Sequence, residues 1–76
     1  MAYFDWTERR LEHIARHDVT LDEWEHVFDN FDIEDFSTTT GRPMRWGYTE
    51  EGRYLAVVFE WEGDYQTVIP ITGYDA

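Results

Sequence analysis

Seventy-six residues without a cysteine restrict the chain to one small domain that no disulfide or thiolate metal site reinforces, so its 18% aromatic residues must fill the core. Seventeen Asp and Glu stand against six Arg and no Lys, a net charge of -11 that repels nucleic acid on average. No apolar run approaches the ~18 residues of a membrane span and no basic stretch leads into an apolar one as in a signal peptide, so a soluble cytoplasmic protein is expected.

Tyr3, Phe4 and Trp6 alternate too briefly to classify; they fit a short edge strand or an apolar lead-in. Thr7 suits an N-cap, and from Glu8 to His17 the apolar Leu11, Ile14 and Ala15 recur at helical spacing. Glu8 lies near the positive end of this first helix, Arg16 and His17 near the negative end. After a short link, Thr20-Leu21-Asp22-Glu23 has the capping-box pattern, with Val19 and Trp24 placed as a hydrophobic staple. The second helix that follows carries Leu21, Trp24, Val27, Phe28 and Phe31 on one stripe and ends near Asp29-Asn30.

Ile33 and Phe36, flanked by acids, suggest a short extended piece before the polar loop Ser37 to Pro43. Met44, Trp46 and Tyr48 alternate with Arg45, Gly47 and Thr49, so this segment should pair across the Glu50 to Gly52 turn with the next strand. That next strand, Tyr54 to Trp61, is apolar on both faces: Leu55, Val57, Phe59 and Trp61 on one, Tyr54, Ala56 and Val58 on the other. Such a strand belongs in the middle of a sheet, with helices on the Leu55 face and a semi-buried surface, such as a shallow groove, on the other. Tyr65 to Ile71 supplies the strand on its far side; Pro70 has no N–H, so pairing is expected to stop near it or to leave it on a free edge. The order defines an α+β fold, two N-terminal helices packed on a three- to four-stranded antiparallel sheet, in one domain spanning residues 1–76.

Three groups of residues bear on function, and each has a plainer reading beside it. His13 and His17 stand at i and i+4, with His26 on the next helix, a spacing that can present imidazoles to one metal. The order Glu12-His13 is not the H-E-x-x-H of a metalloprotease, no cysteine assists, and surface histidines on a charged helix explain the pattern as well; no metal or other cofactor is expected. Arg42, Arg45 and Arg53 lie near Tyr48 and Tyr54 in sequence. Gathered together they would suit a phosphodiester, whose own 2′-OH attacks while a His or Tyr moves the proton; alternatively each Arg pairs with Glu50, Glu51 or Glu60. Asp18 to Asp35 holds eight acids and no Arg. With Trp24, Val27, Phe28 and Phe31 buried, Asp22, Glu23, Glu25 and Asp29 should project from the second helix as one acidic face, which either docks a basic partner or is a solvated surface. Acidity of this kind also accompanies a high-salt habitat.

Several short motifs, in order, resemble one family. Phe4-Asp5-Trp6, Arg16-His17-Asp18-Val19, Val27-Phe28-Asp29, Arg45-Trp46-Gly47-Tyr48 and Gly52-Arg53-Tyr54-Leu55-Ala56-Val57-Val58 are similar, in sequence and spacing, to segments of the BrnT-like toxins of the RelE/ParE superfamily. The resemblance implies a toxin-type component of a type II toxin-antitoxin pair, a small DNA-binding antitoxin as its basic protein partner, and a metal-independent endoribonuclease activity. It implies site residues Arg16, His17, Arg45 and Arg53, with Arg45 and Arg53 holding phosphate and His17 transferring a proton. Two departures weigh on the activity. Asp18 replaces a glycine at the helix junction, and Thr67 and Thr72 replace two last-strand arginines. The fold is therefore implied more directly than the cleavage, and RNA is a disfavoured ligand at this net charge.

Overall fold

The computed structural model describes residues 2–76. The elements run β1 (Tyr3–Phe4), α1 (Glu8–Ala15), α2 (Leu21–Asp29), β2 (Ile33–Phe36), β3 (Pro43–Tyr48), β4 (Tyr54–Glu62) and β5 (Thr67–Asp75). The strands form one sheet in the order β1-β5-β4-β3-β2. β2 through β5 are antiparallel, and β1 joins β5 in parallel through Tyr3 opposite Thr67 and Phe4 opposite Val68. The α+β class holds, but the sheet has five strands and is mixed rather than a three- or four-stranded antiparallel one. The added strands are only two and four residues long, too short for alternation to reveal.

β4 lies centrally, as its two apolar faces require. Leu55, Val57 and Phe59 are fully buried and join Ile14, Val19, Trp24, Val27, Phe28 and Val68 in the main core. Ala56 and Val58 point the other way and are covered by Met44, Trp46 and Ile71 of the neighbouring strands, and among the described residues neither helix contributes to this cluster. Pairing does not stop at Pro70, which is buried opposite Phe59 while β5 stays paired with β4 to Asp75, but its nitrogen does face the free outer edge of β5. The register shifts between Val58 and Phe59 beside it, and β1 has already ended, so the missing N–H interrupts no ladder on the outer edge.

α2 anchors the helical layer. The Thr20 hydroxyl accepts from the Glu23 amide at 3.1 Å and the Glu23 carboxylate accepts from the Thr20 amide at 3.0 Å, completing the capping box. Two glycines let this helix settle closely on the sheet: a Cβ at Gly73 would lie 2.8 Å from Trp24 Cδ1, and one at Gly47 would lie 3.0 Å from the Asn30 carbonyl oxygen. Trp24, Val27 and Phe28 are buried as the stripe requires, but Phe31 lies beyond the helix end and is 38% exposed.

α1 departs further. It ends at Ala15 with Arg16 as C-cap, leaving His17 in the following turn, and buries only Ile14, while Leu11 and Ala15 are exposed. The reason is the aromatic lead-in. Phe4 packs edge-on against Trp24 and Phe28 at 6.1 and 5.2 Å, and Trp6 against Trp24 at 5.4 Å, occupying core space that a deeper α1 would fill. The turn after α1 passes through Asp18 at φ 57°, the left-handed region that Asp tolerates and β-branched residues do not. Asp18→Val is expected to lower stability by about 1–2 kcal/mol and Asp18→Gly to leave it within about 0.5 kcal/mol, read from urea unfolding.

Candidate functional site

The four residues Arg16, His17, Arg45 and Arg53 do not converge on one point. Arg53, just before β4, reaches the N-terminal end of α2, whereas Arg45, in β3, reaches its C-terminal end. The length of a nine-residue helix, roughly 13 Å, lies between the segments they serve.

Arg53 is fully engaged. Its Nε and Nη2 donate to the two carboxylate oxygens of Asp75 at 3.2 and 3.1 Å, and its Nη1 donates to Glu23 Oε2 at 3.2 Å and to the Asp18 carbonyl at 2.7 Å. It thus ties the end of β5, the start of α2 and the turn between the helices. The hydrogen bonds that Arg53 donates to Asp75 lead in raising the guanidinium above its ordinary pKa, with the charges of Asp75 and Glu23 adding to them, so Arg53 stays cationic.

Arg45 is a second latch. Its side chain is 15% exposed; Nε meets Glu34 Oε2 at 2.7 Å and Nη1 donates to the Phe28 carbonyl at 3.0 Å, near the end of α2. The guanidinium carbon lies 4.2 Å from the Phe28 ring centroid and 4.3 Å from that of Phe31. Arg42 pairs with Glu60 at 2.7 Å, the one expected pairing of this group that forms. Arg10 approaches Asp5 at 3.6 Å. Among the described residues Arg9 and Arg16 make no ion pair, and both are exposed.

The expected gathering of Arg42, Arg45 and Arg53 beside the tyrosines is therefore not formed. Tyr48 and Tyr54 do meet, ring centroids 4.7 Å apart, on the sheet face opposite the helices. Desolvation, then the nearby charge of Asp32 and the Tyr48 phenol, raise the pKa of Tyr54, so its hydroxyl is a weaker proton donor than an ordinary phenol.

At the junction end, the His13 and His17 rings lie 5.6 Å apart, His17 is 6.3 Å from the Tyr74 ring, and His13 Nε2 is 3.0 Å from Thr72 Oγ1. His26 is elsewhere, in a cleft of about 490 Å³ lined by Thr20, Asp22, Glu23, Thr49, Glu50 and Glu51. Among the described residues, no three His, Cys, Asp or Glu side chains form a metal-holding group.

The acidic face of α2 is also smaller than expected. Asp22 and Asp29 are exposed, but Glu23 is held by Thr20 and Arg53, and Glu25 accepts from the Trp6 indole N–H at 2.7 Å. Residues that sequence reasoning passed over, Glu34, Asp75 and Tyr74, enter through strand pairing, which no local motif encodes. Comparison with protein-family models, with curated proteins and with solved structures finds no match. Among the described residues no helix is long and apolar enough to cross a membrane.

Proposed function

We propose that the protein is a BrnT-like, toxin-type component that acts by binding a basic, antitoxin-like protein partner and has lost ribonuclease activity. The observation that carries this reading is the commitment of Arg53 to Asp75 and Glu23 together with that of Arg45 to Glu34. A phosphate seeking either guanidinium must displace a carboxylate already at hydrogen-bond distance and enter a field set by a net charge of -11. Both arginines are then structural cations, and the excess acid is left to attract a basic surface.

The test is direct. In ~0.15 M salt, where the Debye length is ~8 Å, the protein is expected neither to cleave single-stranded RNA nor to bind it below micromolar concentration in fluorescence anisotropy, and its induced expression is expected not to arrest growth. RNA cleavage, or submicromolar RNA binding, overturns the reading. A cleavage reading would rest on exposed Arg16 and on His17 beside Tyr74, so Arg16→Ala and His17→Ala would abolish any activity found.

A further inference from the structure

The sheet has a side whose centre the described residues leave without a helical layer. Both helices pack on the face of Leu55, Val57 and Phe59, with His13 and His17 of α1 reaching round the β5 edge to Thr72 and Tyr74; the opposite face carries Met44, Ala56 and Val58 under the half-buried Trp46 and Ile71. Ile33, opposite Trp46, and Tyr48, opposite Tyr54, extend it outward and are 53% and 55% exposed. A sheet apolar on both faces is ordinarily covered on both, and contiguous exposed apolar surface marks a place where another layer packs.

The rim of this face says what kind of layer. Asp35 stands opposite Met44 on the same face, and the charge of Asp32 acts on the Tyr54 hydroxyl. Glu60 continues the row beyond Val58, with Arg42 paired to it. A second copy of the chain would bring the same acids to the same rim and the same net charge of -11, a like-charge juxtaposition that disfavours self-association. The width suits a helix. Strands lie about 4.8 Å apart, so β3, β4 and β5 span about 10 Å between outer axes, the diameter of an α-helix with its side chains.

We propose that this face, centred on Trp46, Tyr48, Tyr54 and Ile71, docks an amphipathic helix of a different protein whose apolar stripe is flanked by Arg or Lys. This rests on the partner-binding reading above and moves the contact from the acidic side of α2 to the opposite side of the molecule. The partner's apolar stripe completes a three-layer α/β/α arrangement, and its basic flanks meet Asp32 and Asp35.

Two synthetic helical peptides with one Leu/Ile stripe, one flanked by Arg and the other by Glu, test this against the isotope-labelled full chain by NMR titration. The Arg peptide is expected to give saturable shifts on β3, β4 and β5 residues of this face, to bind at least about tenfold more tightly than the Glu peptide, and to weaken as salt rises beyond ~0.15 M. Ile33→Ser with Tyr48→Ser, both at exposed positions and so compatible with folding, should weaken it at least about tenfold, since a few apolar anchors dominate such contacts. Asp22→Asn with Asp29→Asn on α2 should leave it unchanged. Equal binding of the Glu peptide, the absence of saturable binding, or dimerisation of the protein through this face in sedimentation overturns the proposal. Shifts confined to α2 and the cleft beside His26 overturn this surface while leaving partner binding standing, whereas RNA cleavage removes the partner-binding reading whatever the peptides do.

Discussion

Trp24→Ala is expected to lose about 3–5 kcal/mol of stability, out of roughly 4–11 kcal/mol for a domain of this length. Trp24 has no exposed surface and packs against Phe4, Trp6, Phe28 and Phe59, with ring centroids 5.4 to 6.4 Å away. Its indole N–H also donates to the Thr72 carbonyl at 3.0 Å, so truncation opens a cavity and removes a donor at once. Phe at this position keeps a ring but not the N–H, and should fall between the two. Urea unfolding followed by circular dichroism reads the effect; a loss under about 1 kcal/mol for the alanine variant would show that Trp24 does not centre the core.

Arg45→Ala should cost about 2–4 kcal/mol, an unusual amount for a charged residue on a strand. The variant loses a charge-assisted hydrogen bond to Glu34, the donor to the Phe28 carbonyl and a cation placed over two phenylalanine rings, along with the packing of its aliphatic stem. Glu34 is 47% exposed and recovers water, which keeps the loss below that of a fully buried pair. Lys keeps the charge without the planar fork and should restore less than half. The measurement separates two roles. A residue held in place to grip phosphate would leave the unfolding midpoint nearly unchanged, so a stability loss under about 0.5 kcal/mol would return Arg45 to the site.

How much was legible depended on whether a signal was local. The capping box of α2 and the two-faced alternation of Tyr54 to Trp61 are properties of consecutive residues, and both form as read. α1 has the same helical spacing, yet Leu11 faces solvent because Phe4 and Trp6, from outside the helix, occupy the core space beside it. The arginines show the same limit more sharply. Arg42 finds Glu60, one of the acids named from sequence, but Arg45 and Arg53 find Glu34, Glu23 and Asp75, which only strand register and helix placement bring near. With 17 acids in 76 residues, partner choice is a tertiary property.

The parallel pairing of β1 with β5 bears on the order in which the molecule assembles. β2 through β5 are consecutive hairpins whose contacts close over short loops, whereas Tyr3 and Thr67 are 64 positions apart. Closing that long loop costs more chain entropy and returns only two residues of pairing, so it belongs late in folding and is the first contact to open in the native state. When it opens, Phe4 and Trp6 leave with it, and the aromatic cluster around Trp24 loses one wall. The segment ahead of α1 therefore acts as a reversible closure on the core, and amide exchange at Val68 and its neighbours on β5 should run ahead of exchange at the centre of β4.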